Sequence, residues 1–350
     1  MKHMLEKTFP EKLTGQLKKW MAATVAATMM LPGTMAVPAA ENTQSNLPQE
    51  ELTVHFIDVG QGLAILAQAG DDVLVYDGGN SDAASYFVSY LKDEGVEDID
   101  YMIASHYDAD HLNGLVGALH AFDTETIIAP DYKHNSKLYT SFYNTLSSQN
   151  KEVTYPEVGQ EYEFGEGSFT VLGPTQIRDD SNNNSVVVRL DYGDTSFLFT
   201  GDAESKEEKD IIAANEELYC DVLSVGHHGS ASSTSWDFLE AVLPEYAVIS
   251  CGVNNSYGHP DPDTIEKLES IEAQIFRTDL QGNIIAISDG ETITWNNAPT
   301  QPIGNMVWLS ATGSKYHSRN NCGNMNPANA RQVTESDAVS QGYEKCKKCW

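Results

Sequence analysis

The sequence predicts an α/β fold in which two strand-rich halves, each flanked by helices, form a layered α/β/β/α sandwich. Short apolar runs that end in Gly or Asp indicate strands, among them LTVHFIDVG, LAILAQAG and DVLVYDGG. Segments with apolar residues three and four positions apart indicate helices, among them DAASYFVSYLKDEG and HLNGLVGALHAF. The 350 residues, 41% of them hydrophobic, supply ample material for such a core.

The order of these elements predicts the domain organisation. Strands and helices alternate to about residue 150, a more purely β stretch follows, and a second mixed stretch ends near Trp295. We therefore predict one large domain over 52–296, with polar linkers on either side. The predicted linkers are 41–51 and 297–306, and residues 307–350 are predicted to form a separate small unit.

Residues 1–40 have the pattern of an export signal. A long lysine-bearing start precedes the apolar run MAATVAATMMLPGTMAV, which is too short for a comfortable membrane span. Small residues follow and suit cleavage near Ala36 to Ala40. An uncleaved anchor is the alternative. No later segment approaches a transmembrane length, so we expect a secreted or cell-surface protein.

The charge of the chain argues against a simple nucleic-acid coat protein. The formal net charge is −30, and residues 41–300 hold 10 Lys and Arg against 46 Asp and Glu, a net charge of −36. Such a body repels polyanions unless a cation intervenes. A polyanionic substrate would therefore need positive charge supplied locally.

Residue types that bind metals follow several predicted strands. The stretch SHYDADHLNG comes directly after IDYMIAS, and FLFTGD, DVLSVGHH and the region after YAVISCG add further candidates. Rigid strand ends are good mounts for ligands. The candidates are His106, Asp108, Asp110, His111, Asp202, His227, His228 and His259. A solvated acidic loop is the alternative for SHYDADHLNG alone. His55, His120 and His134 lack this setting, and we predict that they are structural.

The segments HFIDVGQG, VYDGGN, SHYDADHLNG, NNNSVVVRL, FLFTGDAE, VLSVGHHGS and ISCGVNNSYGHP occur in this order over residues 53–290. This ordered set resembles the metallo-β-lactamase-like domain of the ComEC (DNA-uptake, competence) family and its free-standing relatives. The resemblance covers about two thirds of the chain. It implies the metallo-β-lactamase αββα sandwich and a hydrolase site with two divalent metal ions, Zn or Mn.

The resemblance also implies the ligands. They are His106, Asp108, Asp110, His111, Asp202 and one of the pair His227 and His228, of which we assign His227 to the metal. Asp77 of VYDGGN resembles a supporting aspartate of the family. Asp110 is expected to orient the attacking water as well, and His228 or His259 to protonate the leaving oxygen.

Three features depart from the usual family pattern. Asp108 stands where a second histidine is usual, and the run Asn182–Asn184 occupies the region that usually supplies a third. Both changes replace imidazole by oxygen, which favours harder ions, so Mn²⁺ or Mg²⁺ becomes an alternative to Zn²⁺. Leu63 stands where free-standing members often have an acid, and the change would alter or abolish activity if that acid tunes the site.

These observations lead to the hypothesis of an exported metal-dependent phosphodiesterase or nuclease that acts on DNA. Two metal ions bridged by a carboxylate such as Asp202 would activate water and neutralise the phosphodiester oxygens. Two alternatives stay open. One is hydrolysis of another ester or lactam, such as a phosphorylcholine-type ester, a lactone or a β-lactam. The other is a non-catalytic DNA-binding surface protein with a degenerate site. A role in uptake would need a separate membrane channel partner.

The C-terminal unit carries a second set of ligand types. Three cysteines and one histidine suit a closed tetrahedral zinc site, and the odd number makes a disulfide the weaker reading. The set is His317, Cys322, Cys346 and Cys349. The stretch SDAVSQGYEKCKKC resembles the zinc-binding module of the DNA-repair protein Ada, although His317 replaces an expected cysteine.

Six basic residues follow residue 306, and they either hold nucleic acid or form a charged solubility face. They are Lys315, Arg319, Arg331, Lys345, Lys347 and Lys348. Cys220 and Cys251 are predicted to be buried fillers.

Overall fold

A computed structural model describes residues 50–215, 217–300, 306–319, 322–323, 325–334, 338–339 and 341–349. The predicted export signal, residues 1–40, and parts of both predicted linkers lie outside these residues. Among the described residues, no helix combines the length and apolar character needed to cross a membrane.

Two large sheets dominate the described part of the chain. The strands of the first are β1 (Leu52–Phe56), β2 (Ala64–Ala69), β3 (Asp72–Gly78), β4 (Asp98–Ile103), β5 (Asp123–Ile128), β6 (Val153–Thr154), β14 (Ile284–Ser288) and β15 (Ile293–Trp295). The strands of the second are β7 (Glu161–Phe164), β8 (Gly167–Gly173), β9 (Val187–Tyr192), β10 (Thr195–Phe199), β11 (Val222–Ser224), β12 (Tyr246–Ile249) and β13 (Gln274–Arg277). Their spatial orders are β15-β14-β1-β2-β3-β4-β5-β6 and β13-β12-β11-β10-β9-β8-β7.

Helices cover both sheets. They are α1 (Ala84–Asp93), α2 (Ala109–Ala121), α3 (Lys137–Ser148), α4 (Ser205–Ala214), α5 (Trp236–Val242), α6 (Pro262–Ser270) and α7 (Thr278–Gln281). One apolar core lies between the sheets, where Phe56 and Tyr76 of the first sheet contact Phe199 of the second. A second core joins the first sheet to α1, α2 and α3, and a third joins the other sheet to α4, α5 and α6. The predicted αββα sandwich is confirmed.

Strand direction places the predicted ligands together. In the first sheet β3, β4 and β5 run parallel, and in the second β10, β11, β12 and β13 run parallel. In such sheets the loops that follow the strands share one edge, where ligands bind. His106 follows β4, Asp202 follows β10, and the pair His227 and His228 follows β11.

Helix α2 approaches the first sheet unusually closely. A Cβ atom on Gly114 would lie 1.9 Å from the carbonyl oxygen of Gly78 at the end of β3. Any side chain here would push the helix outward. The contact therefore fixes the position of the first turn of α2, which carries Asp110 and His111.

A small third sheet is built from C-terminal strands. It consists of β16 (Met306–Leu309), β17 (Lys315–His317), β18 (Arg331–Thr334) and β19 (Glu344–Lys345), in the order β18-β16-β17-β19. Its core is small and contains Val307, Leu309, Tyr316 and Ala338. So small a buried apolar area contributes little to stability, and small units of this kind usually need another source of it.

Candidate metal centre

The candidate site begins at the buried end of β4. Ser105 donates its backbone N–H and its hydroxyl to the two carboxylate oxygens of Asp77, at 2.8 and 2.6 Å. The same hydroxyl oxygen lies 3.0 Å from His106 Nδ1. His106 is fully buried, and its Nε2 atom lies 4.0 Å from Asp202 Oδ2. These contacts direct Nε2 of His106 toward the second sheet.

His111 is oriented by the same aspartate. Its Nδ1 atom lies 2.7 Å from Asp77 Oδ2, and both side chains are fully buried. The Nε2 atom consequently points the other way, 3.2 Å from Asp202 Oδ1. A carboxylate that holds one ring nitrogen and leaves the other exposed to the site is the usual support of a metal-binding histidine.

The second sheet contributes Asp202 and His228. A Cβ atom on the preceding Gly201 would lie 2.7 Å from Ser105 Cβ, so this glycine lets the two sheets meet. His228 Nδ1 lies 2.9 Å from the carbonyl oxygen of Ser250, which follows β12. Its Nε2 atom lies 3.7 Å from Asp202 Oδ1 and 3.4 Å from the Oδ2 atom of Asp110.

Four buried polar atoms of this cluster lack a hydrogen-bond partner. They are Nε2 of His106, His111 and His228, and Oδ1 of Asp202. Buried polar atoms left in this way cost free energy, and their convergence at one point calls for a cation. Two triads have ligand atoms within 4.8 Å of one another: His106 with His111 and Asp202, and Asp110 with His111 and His228. The donor set of imidazole nitrogens and carboxylate oxygens fits a divalent metal ion.

Burial and opposite charge compete within the first triad. Burial lowers the pKa of His111, but Asp202 and Asp77 outweigh it and raise that pKa well above its ordinary value. Burial raises the pKa of Asp202, but His111 and His228 outweigh it and hold that pKa well below the ordinary value. Burial and the neighbouring His111 lower the pKa of His106.

The second triad shows the same competition. Burial lowers the pKa of His228, whereas Asp202 and Asp110 raise it, and the net result lies above the ordinary value. Burial raises the pKa of Asp110, but the His228 ring, whose Nε2 atom lies 3.4 Å from Asp110 Oδ2, and the charge of His111 hold it below the ordinary value. Without a metal ion, the nearby carboxylates therefore favour the protonated forms of His111 and His228, but not of His106.

The two consecutive histidines after β11 point in different directions. Both have left-handed backbone conformations, with φ values of 50° at His227 and 56° at His228. His228 is buried in the second triad, whereas His227 is partly exposed and lies outside both triads. His227 Nε2 is 3.6 Å from Asp202 Oδ2, and its Nδ1 is 3.4 Å from the carboxylate of Glu204. The geometry thus adds His228 as a candidate ligand, beside His227, which the sequence assigned to the metal and which lies at the Oδ2 side of Asp202.

Asp108 lies at the rim of the cluster. Its Oδ2 atom is 3.8 Å from His106 Nε2, and its side chain is 39% exposed. Its Oδ1 atom accepts a 2.8 Å hydrogen bond from the Ser181 hydroxyl and lies 3.5 Å from His134 Nε2. His134, which the sequence indicated to be structural, therefore neighbours a candidate ligand. Only the folding of two distant loops brings it there.

The side chains of the asparagine run are engaged in contacts outside the two triads. Residues Asn182–Asn184 form a 3-10 turn, in which Asn183 binds Glu204 and Asn184 binds the backbone of Arg178. The next residue is Ser185. Its hydroxyl oxygen lies 3.4 Å from His106 Nδ1 and accepts a hydrogen bond from the backbone N–H of Asp202. These contacts account for the side chains of Asn183 and Asn184, and the hydroxyl of Ser185 is the group of this segment that contacts His106.

His259 closes another side of the site. Its ring centroid lies 5.7 Å from that of His227 and 6.5 Å from that of His228. Its Nδ1 atom is buried without a hydrogen-bond partner. Burial, with the neighbouring His227 and His228, lowers the pKa of His259.

Leu63, at the position of the family acid, is buried, and its N–H donates to the carbonyl oxygen of Asp110.

The C-terminal ligand set also converges. Ligand atoms of His317, Cys322, Cys346 and Cys349 lie within 4.8 Å of one another, and the three thiols are free. Burial raises the pKa of the Cys349 thiol. Hydrogen bonds from Ser318 and with Cys322 and His317 outweigh burial and lower that pKa to about 6. A thiolate among these donors fits a tetrahedral zinc site. Cys220 and Cys251 are fully buried elsewhere.

With this geometry in place, comparison with known proteins gives the class. The sequence profile of the metallo-beta-lactamase superfamily matches residues 57–253. The chain belongs to this superfamily. The metallo-beta-lactamase fold protein YhfI from Bacillus subtilis has a similar structure, with a TM-score of 0.50, 14% identity, and coverage of 69% of this chain and 100% of YhfI. At that identity, the likeness shows the fold alone.

Sequence relatives include proteins named for competence and recombination. Competence protein ComA of Neisseria gonorrhoeae is 33% identical over 244 residues, which cover 67% of this chain and 32% of ComA. Recombination protein 2 of Haemophilus influenzae is 33% identical, with coverage of 66% and 28%. ComE operon protein 3 of Bacillus subtilis is 27% identical, with coverage of 66% and 32%. The chain spans about a third of the length of these curated relatives.

Proposed function

We propose that this protein is an exported, divalent-metal-dependent phosphodiesterase that cleaves DNA. The observation that carries the proposal is the convergence of four buried, unpartnered ligand atoms at the edge where both sheets end. Polar atoms in that state are functional when they face a common point that a cation can fill.

Asp202 lies at the centre of the residues that would hold the two divalent metal ions, Zn or Mn. Its Oδ1 atom faces His111 at 3.2 Å and His228 at 3.7 Å, and its Oδ2 atom faces His227 at 3.6 Å and His106 at 4.0 Å. We assign Asp110, His111 and His228 to the Oδ1 side. Asp108, His106 and His227 belong to the Oδ2 side. Asp108 adds an oxygen donor there, which is the reason to keep manganese beside zinc.

The ions, when bound, would lower the pKa of water and neutralise the charge of the phosphodiester. The protein's own residues do the positioning. Asp110 is held as a carboxylate beside His228, so it can accept a hydrogen bond from the attacking water. His259, at the edge of the cluster, is assigned to the leaving oxygen.

The relatives and the charge support a phosphodiester substrate. The relatives carry names from competence and recombination, which are processes that handle DNA. The acidic body has a net charge of −36 over residues 41–300, so a polyanion would depend on bound metal for attraction. In an uptake pathway this chain would act with a separate membrane channel partner.

We assign one further zinc ion, with a structural role, to His317, Cys322, Cys346 and Cys349. The four donors match a closed tetrahedral site, and the surrounding core of four residues is small. The basic side chains of this unit would add affinity for nucleic acid.

The decisive experiment uses the full chain stripped of metal and reloaded with Mn²⁺ or Zn²⁺. Substrates are single-stranded DNA, plasmid DNA, p-nitrophenyl phosphorylcholine and nitrocefin. We expect DNA cleavage that needs metal and that falls at least about a thousandfold in Asp202→Asn. Asp191→Asn is the control, because Asp191 is paired with Arg189 in the second sheet and lies outside both ligand triads.

Two outcomes would contradict the proposal. Hydrolysis of nitrocefin or the choline ester without cleavage of DNA would favour the other hydrolase activities of this fold. Metal binding and DNA binding without any turnover would indicate a non-catalytic surface protein. Export is tested separately, by recovery of the chain from the medium or cell surface.

A further inference from the structure

Aromatic rings lead from solvent to the candidate metal cluster, from Tyr257 through His259 to the pair His227 and His228. Tyr257 is 70% exposed, and its ring stacks on His259 at a centroid distance of 5.6 Å and an interplanar angle of 25°. His259 in turn lies 5.7 Å from His227 and 6.5 Å from His228. One face of the tyrosine is thus held by a ring beside the site, and the other is open to solvent.

The loop that carries Tyr257 is fixed by one asparagine. Asn255 Nδ2 donates to the carbonyl oxygens of Gly252 and His259, at 2.9 and 2.6 Å. Asn255 Oδ1 accepts the backbone N–H groups of Tyr257 and His259, at 3.2 and 3.0 Å. An exposed aromatic ring on a loop locked in this way binds a flat partner at little cost in conformational entropy.

The basic side chains of residues 41–300 attract a nucleic acid only weakly. Residues 41–300 contain ten Lys and Arg, and at least six of them are in ion pairs with Asp or Glu. They are Lys151, Arg178, Arg189, Lys206, Lys267 and Arg277. A nucleic acid held here therefore gains from contacts other than phosphate–cation pairs, and stacking on an aromatic ring is such a contact.

We propose that Tyr257 is a stacking platform for the nucleobase beside the scissile phosphate, and that it makes the site selective for single-stranded nucleic acid. The inference rests on the proposed phosphodiesterase function. Bases of a duplex are covered on both faces by their neighbours, so they must be unstacked before they can bind an aromatic side chain. Bases of a single strand are free to do so, whatever their identity.

The test compares three DNA substrates with the metal-loaded full chain. They are a single-stranded oligonucleotide, its duplex, and a single strand in which abasic residues replace the nucleotides. We expect Tyr257→Ala to raise KM for the base-bearing single strand about tenfold or more, with kcat within about twofold. Kinetics on the abasic strand should not change. Tyr257→Phe should behave as the wild type, because the hydroxyl is not needed for stacking.

Tyr219→Ala is the matched control. Tyr219 is 46% exposed and precedes β11, at the opposite end of that strand from His227 and His228. Equal losses on the base-bearing and abasic strands would show that Tyr257 only supports His259, and would overturn the platform. Unchanged KM on every substrate in Tyr257→Ala would overturn it as well.

A failure of the proposed function gives a different pattern. In that case the wild type cleaves none of the substrates, and fluorescence anisotropy of the labelled single strand tests the platform alone. Weaker binding by Tyr257→Ala than by Tyr219→Ala supports stacking. Equal binding by the two variants overturns it.

Discussion

Asp77 Oδ2 accepts a hydrogen bond of 2.7 Å from His111 Nδ1, and neither side chain has any exposed surface. Because Nδ1 is held by Asp77, Nε2 is the ring nitrogen directed at Asp202, 3.2 Å from Oδ1, and is the atom available to a metal ion. Asp77 also accepts two hydrogen bonds from Ser105, whose hydroxyl contacts His106. One buried carboxylate thus orients two candidate ligands, although it lies in neither triad.

Asp77→Asn should weaken metal binding without unfolding the chain. Asparagine tolerates the left-handed backbone at this position, where φ is 57°, so the main cost falls on the lost charge beside His111. We expect the metal dissociation constant to rise about 10- to 100-fold. Competition with a chromogenic chelator measures it. Asp98→Asn, at an exposed position of β4, is the control, and equal affinities for the two variants would contradict the role of Asp77.

Metal binding should release protons near neutral pH. The pKa values of His111 and His228 are raised in the metal-free protein, so both rings hold protons to higher pH than an ordinary histidine. A metal ion must displace those protons, and its affinity should fall as pH drops through the raised values. Calorimetry at pH 7 in buffers of different ionisation enthalpy counts the protons. A binding enthalpy that does not depend on the buffer would contradict this prediction.

Gly114→Ala should damage both stability and the site. Its Cβ atom would lie 1.9 Å from the carbonyl oxygen of Gly78, so helix α2 must move and carry His111 with it. Overpacking of this kind costs about 1–3 kcal/mol. Urea unfolding of the metal-free chain measures the loss. Gly117→Ala in the same helix is the control, because its Cβ would meet a methyl group of Val88 at 3.2 Å and no backbone atom outside α2 nearer than the Ala84 oxygen at 3.9 Å. Equal losses of the free energy of unfolding in the two variants would contradict the explanation that the contact with Gly78 fixes helix α2.

Cys322→Ser should remove one zinc per chain and leave the other metals in place. Cys322 Sγ lies 3.9 Å from Cys346 Sγ in the C-terminal ligand set, and a hydroxyl is a poor substitute for a thiolate on zinc. Elemental analysis of protein purified with limiting zinc counts the ions. Cys220→Ala, at a buried cysteine of the second sheet region, should keep the wild-type count. An unchanged count in Cys322→Ser would refute the structural zinc.

Much of the fold was accessible from the sequence, because strands and helices there have clear periodicity. The predicted runs that begin at Leu52, Leu63 and Asp72 contain strands β1, β2 and β3. The convergence of ligand types was also predictable, because residues after parallel strands share an edge. SHYDADHLNG and FLFTGD belong to different sheets, and each indicated a strand end on its own.

Contacts between distant loops were not accessible. The sequence could not decide between His227 and His228, because the choice depends on two consecutive left-handed residues that turn the rings apart. It assigned a ligand-like role to the asparagine run, whose side chains instead hold the neighbouring turn and Glu204. It missed the proximity of His134 to Asp108, since the two loops are joined only by the folded sheet.

The left-handed backbone of His227 and His228, after β11, lowers the stability of the chain at residues that the proposed activity needs. A non-glycine residue in this conformation costs about 1–2 kcal/mol, and Gly226 and Gly229 flank two of them in succession. His227→Gly should therefore raise the free energy of unfolding of the metal-free chain by about 1 kcal/mol, while it lowers the proposed DNA cleavage. Chemical denaturation and turnover of the same sample would show both changes, and a variant that loses stability would contradict the strain. Selection for a sturdier protein alone would thus tend to erase the ligand, and only selection for turnover would keep a histidine there.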